Sequence, residues 1–137
     1  MAKFVLKDAS VTVNSVDLSD HVASVEMSMS AEDVTTTAMG ATGVTRLPGL
    51  RDESITVTWR SDFAAAKVDA TLAPLYTGGT SHVVVVKPVS GTVTATNPKY
   101  TATCYLLEFS PISGEVGSVA DVETTFVVDG VTVRAES

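Results

Sequence analysis

The sequence predicts a mainly β domain with one flanking helix, and three observations carry that expectation. Val, Thr, Ser and Ala dominate a chain with only 6% aromatic residues, the make-up of proteins built from many short strands. Several stretches alternate apolar and polar residues with a period of two, as half-buried strands do. A single stretch, residues 61–76, has the spacing of an amphipathic helix instead.

The chain bounds agree with one domain over residues 1–137. At 137 residues and 45% hydrophobic content it can bury a sizeable core. Nine basic against sixteen acidic residues leave a net charge of −7, which argues against the basic footprint of a protein that grips nucleic acid. Cys104 is the only cysteine, so an internal disulfide framework is excluded. Its place in an apolar run reads as a small buried hydrophobe, not a reactive thiol. The opening residues 1–8 lack the apolar core of a signal peptide and no window has bilayer-spanning length, so the expectation is a soluble product with no membrane insertion.

In chain order, Ser10-Val11-Thr12-Val13 and Val16-Asp17-Leu18 flank Asn14-Ser15, a two-residue turn that folds the start into a hairpin. Asp17, Asp20 and His21 stand close together, but no companion His or Cys cluster completes a metal site, and turn capping is the better reading. Residues 22–30 alternate Val25, Met27 and Met29 with Ser24, Glu26, Ser28 and Ser30. Residues 54–60 alternate Ile55, Val57 and Trp59 with Ser54, Thr56, Thr58 and Arg60. Each strand therefore has one wet face.

Between them, residues 31–53 carry no sustained period and are punctuated by Gly40, Gly43, Pro48 and Gly49, which reads as a long inter-strand loop. Loops of that length are uncommon in compact domains and are usually functional or disordered. This one holds Val34, Met39, Val44, Leu47 and Leu50, apolar surface that a loop cannot bury against itself. Intermolecular contact is favoured over packing back on its own domain, and both over disorder.

The helix over 61–76 takes Ser61 or Asp62 as N-cap and presents Val68, Leu72, Leu75 and Tyr76 on one face. Pro74 predicts a broken helix, and Gly78-Gly79 its stop. Residues 82–87 read as a continuous apolar strand in the middle of the core, with His82 in a structural role. Residues 89–100 form a connection with a short strand at 92–96. Strands over 100–109 and 118–128 are joined by a turn-rich loop at 110–117. In the second strand Val122, Thr124, Phe126 and Val128 point inward, and Val119, Asp121, Glu123, Thr125 and Val127 outward. Asp129-Gly130 then makes a tight turn into the closing strand Val131-Thr132-Val133-Arg134.

Catalytic signatures are missing: there is no G-x-S-x-G elbow, G-x-G-x-x-G, P-loop, H-E-x-x-H or paired-Cys motif. Gly40-Ala41-Thr42-Gly43 matches the G-x-x-G of RNA-binding KH domains in letters only, without the flanking helices. The acidic residues alternate with Ser and Thr and lack an aromatic sugar platform, so glycoside chemistry is not indicated. The expectation is a non-enzyme without cofactor or metal.

Eight stretches stand in a characteristic order and spacing: Ala2-Lys3-Phe4-Val5-Leu6-Lys7, Val16-Asp17-Leu18-Ser19-Asp20-His21-Val22, Thr37-Ala38-Met39-Gly40, Leu50-Arg51-Asp52-Glu53-Ser54, Asp62-Phe63-Ala64-Ala65, Val68-Asp69-Ala70-Thr71-Leu72, Asn97-Pro98-Lys99-Tyr100 and Ser110-Pro111-Ile112. Through them the sequence resembles bacteriophage major tail proteins, the tail tube subunits of long non-contractile tails, over nearly the whole chain. The resemblance implies a β-sandwich or barrel-like domain with a flanking helix, assembling as hexameric rings that stack into a hollow tube for DNA ejection. The implied partners are other copies of the chain, tape measure, tail tip and tail terminator proteins, and DNA in transient passage. The implied location is the virion, reached from the host cytoplasm during assembly.

By the same resemblance, residues 22–30 with 54–60, and 100–109 with 118–128, are the lumen hairpins, which makes Ser24, Glu26, Ser28, Asp121 and Glu123 lumen-facing candidates. Residues 31–53 become an inter-ring loop acting through Met39, Val44, Leu47, Leu50 and Arg51. A half-wet strand pair suits a channel wall, and acidic side chains there would let DNA slide. Arg60 departs from that pattern and is expected to pair with Glu26 or Glu123. Two other readings stand beside this one: an adhesion or carbohydrate-binding β-sandwich, and the tube of a phage-derived bacteriocin or injection device.

Overall fold

The computed structural model describes residues 5–65 and 67–136; Met1–Phe4, which carry part of the signal-peptide argument and of the family resemblance, lie outside them. Among the described residues, eight strands form one antiparallel sheet: β1 Ser10–Val13, β2 Val16–Asp17, β3 Val22–Thr35, β4 Arg46–Arg60, β5 His82–Lys87, β6 Lys99–Ser113, β7 Asp121–Val128 and β8 Val133–Ala135. Their order is β2-β1-β5-β6-β7-β4-β3, with β8 also pairing β6. One helix, α1 Val68–Gly78, packs on β6.

The core lies on one face of the sheet. Val11 and Val13 from β1, Val84 and Val86 from β5, and Ile55, Val57 and Trp59 from β4 belong to a single buried cluster with Phe126 of β7 and Val68, Leu72 and Leu75 of α1. Val25 and Met27 of β3 pack on its rim. Strands from both ends of the order share this core, so the sheet curls around it. The inward set expected for the last long strand, Val122, Thr124, Phe126 and Val128, is buried throughout. Cys104 is buried as well, and desolvation pushes its thiol up to about 12. His82 is buried edge-on to Phe126, and loss of solvation lowers its pKa from the usual histidine value.

Local chemistry accounts for most element boundaries. Asn14 and Ser15 both take positive φ, 49° and 68°, as a two-residue hairpin turn requires. Asp17 caps the 3₁₀ turn at Ser19–His21 by accepting from the Ser19 amide and hydroxyl. Gly79, at φ 62°, ends α1 in the left-handed conformation.

Several expectations fail. The helix begins at Val68, not Ser61: the Asp62 carbonyl is taken by the Asp69 amide, seven residues on, so it is not free for the i to i+4 bond of a helix starting there. The single helix is present as expected, but it runs through Pro74 without the expected break. β5 buries only His82, Val84 and Val86 while Val83 is exposed, since the sheet has a single covered face. The 92–96 strand reduces to one bridge between Thr94 and Asn97. Asp129-Gly130 does not reverse the chain: β7 and β8 both run antiparallel to β6, with Val128 opposite Cys104 and Val133 opposite Thr101. The turn is an interruption in one line of pairing along β6.

At the centre, the Trp59 Nε1–H donates to Thr124 Oγ1 at 3.0 Å, and the Thr124 hydroxyl donates to the Val57 carbonyl at 3.3 Å. Thr124→Val alone strands a buried indole donor and is expected to cost about 1–3 kcal/mol, whereas adding Trp59→Phe removes the donor and recovers part of that loss. Urea unfolding of the two single variants and the double measures the coupling, and strictly additive losses would refute it.

Candidate functional site

The two expected hairpins are adjacent. β3 pairs with β4, β4 with β7 and β7 with β6, so they merge into one four-stranded wall. Residues directly opposite each other share a face. Ser24, Glu26 and Ser28 stand opposite Thr58, Thr56 and Ser54, and Thr58, Thr56 and Arg60 stand opposite Glu123, Thr125 and Asp121. All five sequence candidates, Ser24, Glu26, Ser28, Asp121 and Glu123, therefore lie on the outer face, away from the core.

Two charges on that face differ from expectation. Arg60 pairs with Asp121, Nη1 to Oδ1 at 2.8 Å, and not with Glu26 or Glu123. The register places Asp121 directly opposite it, so the Asp121 charge is largely compensated. Glu108 joins the face, which alternation alone could not reveal. Counting outward from buried Ala102, Cys104 and Leu106 would turn Glu108 into the core. A bulge at Leu107 resets the phase, leaving Glu108 opposite Thr125 and turning Phe109 inward to meet Thr124 and the Tyr76 ring.

The long loop is largely strand. β3 and β4 stay paired out to Thr35 and Arg46, and the Thr36 amide still donates to the Thr45 carbonyl. Only residues 36–45 form the turn, not 31–53. β7 accompanies β4 no further than Ser54, so residues 46–53 of β4 have β3 as their only partner and project as a two-stranded arm of about 26 Å. The period is hidden because the register shifts between Ala31 and Asp33, where β4 carries an extra residue. Gly49 sits there: a Cβ on it would lie 2.8 Å from Val34 Cγ2 and 3.0 Å from Glu32 Cβ. Met39, Val44, Leu47 and Leu50 are all exposed. Met39 and Val44 belong to the turn, and Leu47 and Leu50 to β4.

Arg51 is half-exposed and faces its own chain. Its Nη2 lies 2.6 Å from Glu53 Oε2, while Glu53 Oε1 accepts from the Thr132 amide at 2.6 Å. Glu53 is thus a buried carboxylate at the arm's root, clamped to the segment between β7 and β8. Burial acts to raise its pKa, but the Thr132 and Arg51 hydrogen bonds outweigh it and the net direction is down. At the other end of β3, the His21 ring stands between Asp20 and Asp62 at 2.8 and 2.9 Å. Asp62 is lowered first by the Ala64 amide and then by His21. Among the described residues no group of His, Cys, Asp and Glu could hold a metal, and no helix is long and apolar enough to cross a membrane.

Solved structures share this architecture. A chain of the native gene transfer agent virion superposes with a TM-score of 0.73 at 16% identity, covering 93% of this chain and 95% of that one. The SPP1 tail tube gives 0.76 at 12% identity over 95% and 77%. A chain of the sheath–tube complex of the PVC extracellular contractile injection system, in its extended state, gives 0.72 at 13% over 98% and 93%. Neither a protein-family model nor a curated protein sequence matches the chain. At these identities the shared property is the fold, and the chain has the fold of tail-tube proteins.

The Glu53 clamp has a pH signature. The folded state keeps this carboxylate ionised at lower pH than the unfolded chain, whose value is near 4.5. The unfolded state therefore binds more protons there, and the clamp's stability, full above pH 4.5, is lost as the pH falls through the folded value. Glu53→Ala is expected to cost about 1–3 kcal/mol at pH 7 by stranding the buried Thr132 amide, and to flatten the acid limb of a stability–pH curve. An unchanged acid limb would disprove the assignment.

Proposed function

We propose that this chain is the repeating subunit of a hollow tail tube, in which six copies close a ring, rings stack, and the outer face of β6-β7-β4-β3 lines the bore through which phage DNA passes. The observation that carries this reading is that face itself. It is a wall mostly of hydroxyl and carboxylate side chains, interrupted by Val127 and the exposed Leu107 and backed by an apolar core, and a predominantly hydrophilic face is what a water-filled channel demands of its lining. β3 supplies a second reason. It is a 14-residue strand at the free edge of the sheet, and an unpaired edge of that length is a template for another chain, which ring closure would cover.

Glu26, Glu108 and Glu123 make the bore acidic, with Asp121 offset by Arg60. A polyanion passing such a wall is repelled from it and finds few cations to hold its phosphates, so friction stays low. That charge favours DNA as cargo. Tape measure, tail tip and tail terminator proteins complete the assembly in this reading, which places the chain in the virion after assembly in the host cytoplasm. A second reading, the tube of a bacteriocin or injection device that moves protein, is favoured by the similarity to the contractile injection system. In neither does the chain act as an enzyme.

Replacing Glu26, Glu108 and Glu123 together by Lys is expected to leave tubes that assemble but eject DNA slowly, with the delay relieved as salt rises, because added cations grip phosphate. Ejection kinetics indistinguishable from wild type at low salt would sink the DNA-lining role.

The arm is expected to bridge rings. Replacing residues 37–44 by Asn-Gly closes β3 and β4 with a two-residue turn and removes Met39 and Val44. Shortening a loop changes chain entropy by only about 0.6 kcal/mol per halving. Each apolar side chain lost from an interface forfeits about 1.5–3 kcal/mol, repeated around the ring. Thermal unfolding of the monomer should change little while stacking is abolished under electron microscopy. Tubes of normal length would refute the bridging role.

A further inference from the structure

The strand register gives the subunit two unlike poles. β3 runs out from Val22 to Thr35 and β4 returns from Arg46 to Arg60. β7, antiparallel to β4, starts at Asp121 beside Arg60, and β6 ends at Ser113 beside Asp121. The 36–45 turn therefore stands at one pole and the 114–120 turn at the other. Both are apolar at the surface. Met39 and Val44 are exposed at the arm pole; Ile112, Val116 and Val119 are exposed at the opposite pole. The segment leaving β4 is held at that second pole by the Ser61 amide, which donates to the Ala120 carbonyl at 2.9 Å, and it carries the exposed Phe63.

We propose that the pole formed by Ile112, Val116 and Val119 is the receptor for the 36–45 turn of the next copy of this chain, an assignment that rests on the tube reading above and adds the receiving surface to it. Two observations favour a second copy as the occupant. The apolar patches sit at opposite ends, so their contact is heterologous and propagates along an axis, whereas a contact between two arms is isologous and stops at a pair. The charges also complement each other. The arm turn has no charged residue of its own and is followed at once by Arg46, an exposed guanidinium only loosely paired with Asp33 at 3.4 Å. Glu115 is the single charged residue of the opposite turn, and it is exposed.

The test is cross-linking of the Met39→Cys/Val116→Cys double variant with a short bis-maleimide after tube assembly. Both positions are fully exposed, and thermal unfolding checks that the fold is kept. Cys104 does not compete, because its thiol is buried. The expected result is a ladder of covalent multimers on a denaturing gel that continues past six chains, with each single-cysteine variant remaining monomeric. Dimers from Met39→Cys alone would mean that arms meet arms, and would overturn the proposal. A ladder ending at six would place the contact within a ring, and tubes that form without cross-linking would assign the receptor elsewhere; either overturns the proposal while leaving the tube intact. Wild-type protein that yields neither rings nor tubes under nucleation by tail-tip components would overturn the tube reading, and this proposal with it.

Discussion

The burial of one face of β4 is the constraint on which the rest of the molecule depends. Ile55, Val57 and Trp59 have no exposed surface, and they meet Phe126 and Thr124 across the sheet. Strand side chains alternate with a period of two, so a slip of one residue would exchange every inward and outward position on β4. Losing the indole's burial and its hydrogen bond to Thr124 makes that slip costly. The same register fixes Thr56, Thr58 and Arg60 outward and, through the pairings on either side, Glu26, Glu123 and Asp121 with them. The chemistry of the outer wall is thus set from inside.

Glu53 extends that control to the arm. A two-stranded ribbon such as this one, with no third strand, is marginal by itself. Its root is held by a carboxylate that takes hydrogen bonds from the Thr132 backbone and from Arg51. The interruption between β7 and β8 brings Thr132 to that position. What looks like an irregular C-terminal strand is therefore tied to the orientation of a hairpin nearly eighty residues earlier in the chain. Arg51 serves the arm from within, and the arm's exposed side chains are Met39, Val44, Leu47 and Leu50 together with Arg46 and the acidic Glu32, Asp33 and Asp52.

An antiparallel wall whose two hairpin turns point in opposite directions has a head and a tail. Such a subunit suits assemblies that grow along an axis, since like ends need not meet. The fold is shared with chains of a gene transfer agent virion, the SPP1 tail tube and a contractile injection system at only 12–16% identity, so the architecture is kept while few residues are.

The sequence by itself determined the strand faces, because alternation within a strand is local. Ile55, Val57 and Trp59, and Val122, Thr124, Phe126 and Val128, could be assigned inward from period alone. The Asn14-Ser15 turn, the Gly79 stop and the burial of Cys104 were legible for the same reason: each depends on a few neighbouring residues. Only the tertiary structure decided where the period breaks. The extra residue on β4 near Gly49 and the bulge at Leu107 shift the alternation, and a shifted period reads as no period. That is why residues 31–53 resembled a loop and Glu108 could not be placed. The partners of Arg60, His21 and Glu53 were equally hidden, since each lies across a strand pairing or a turn whose register is set by the packing of the whole sheet.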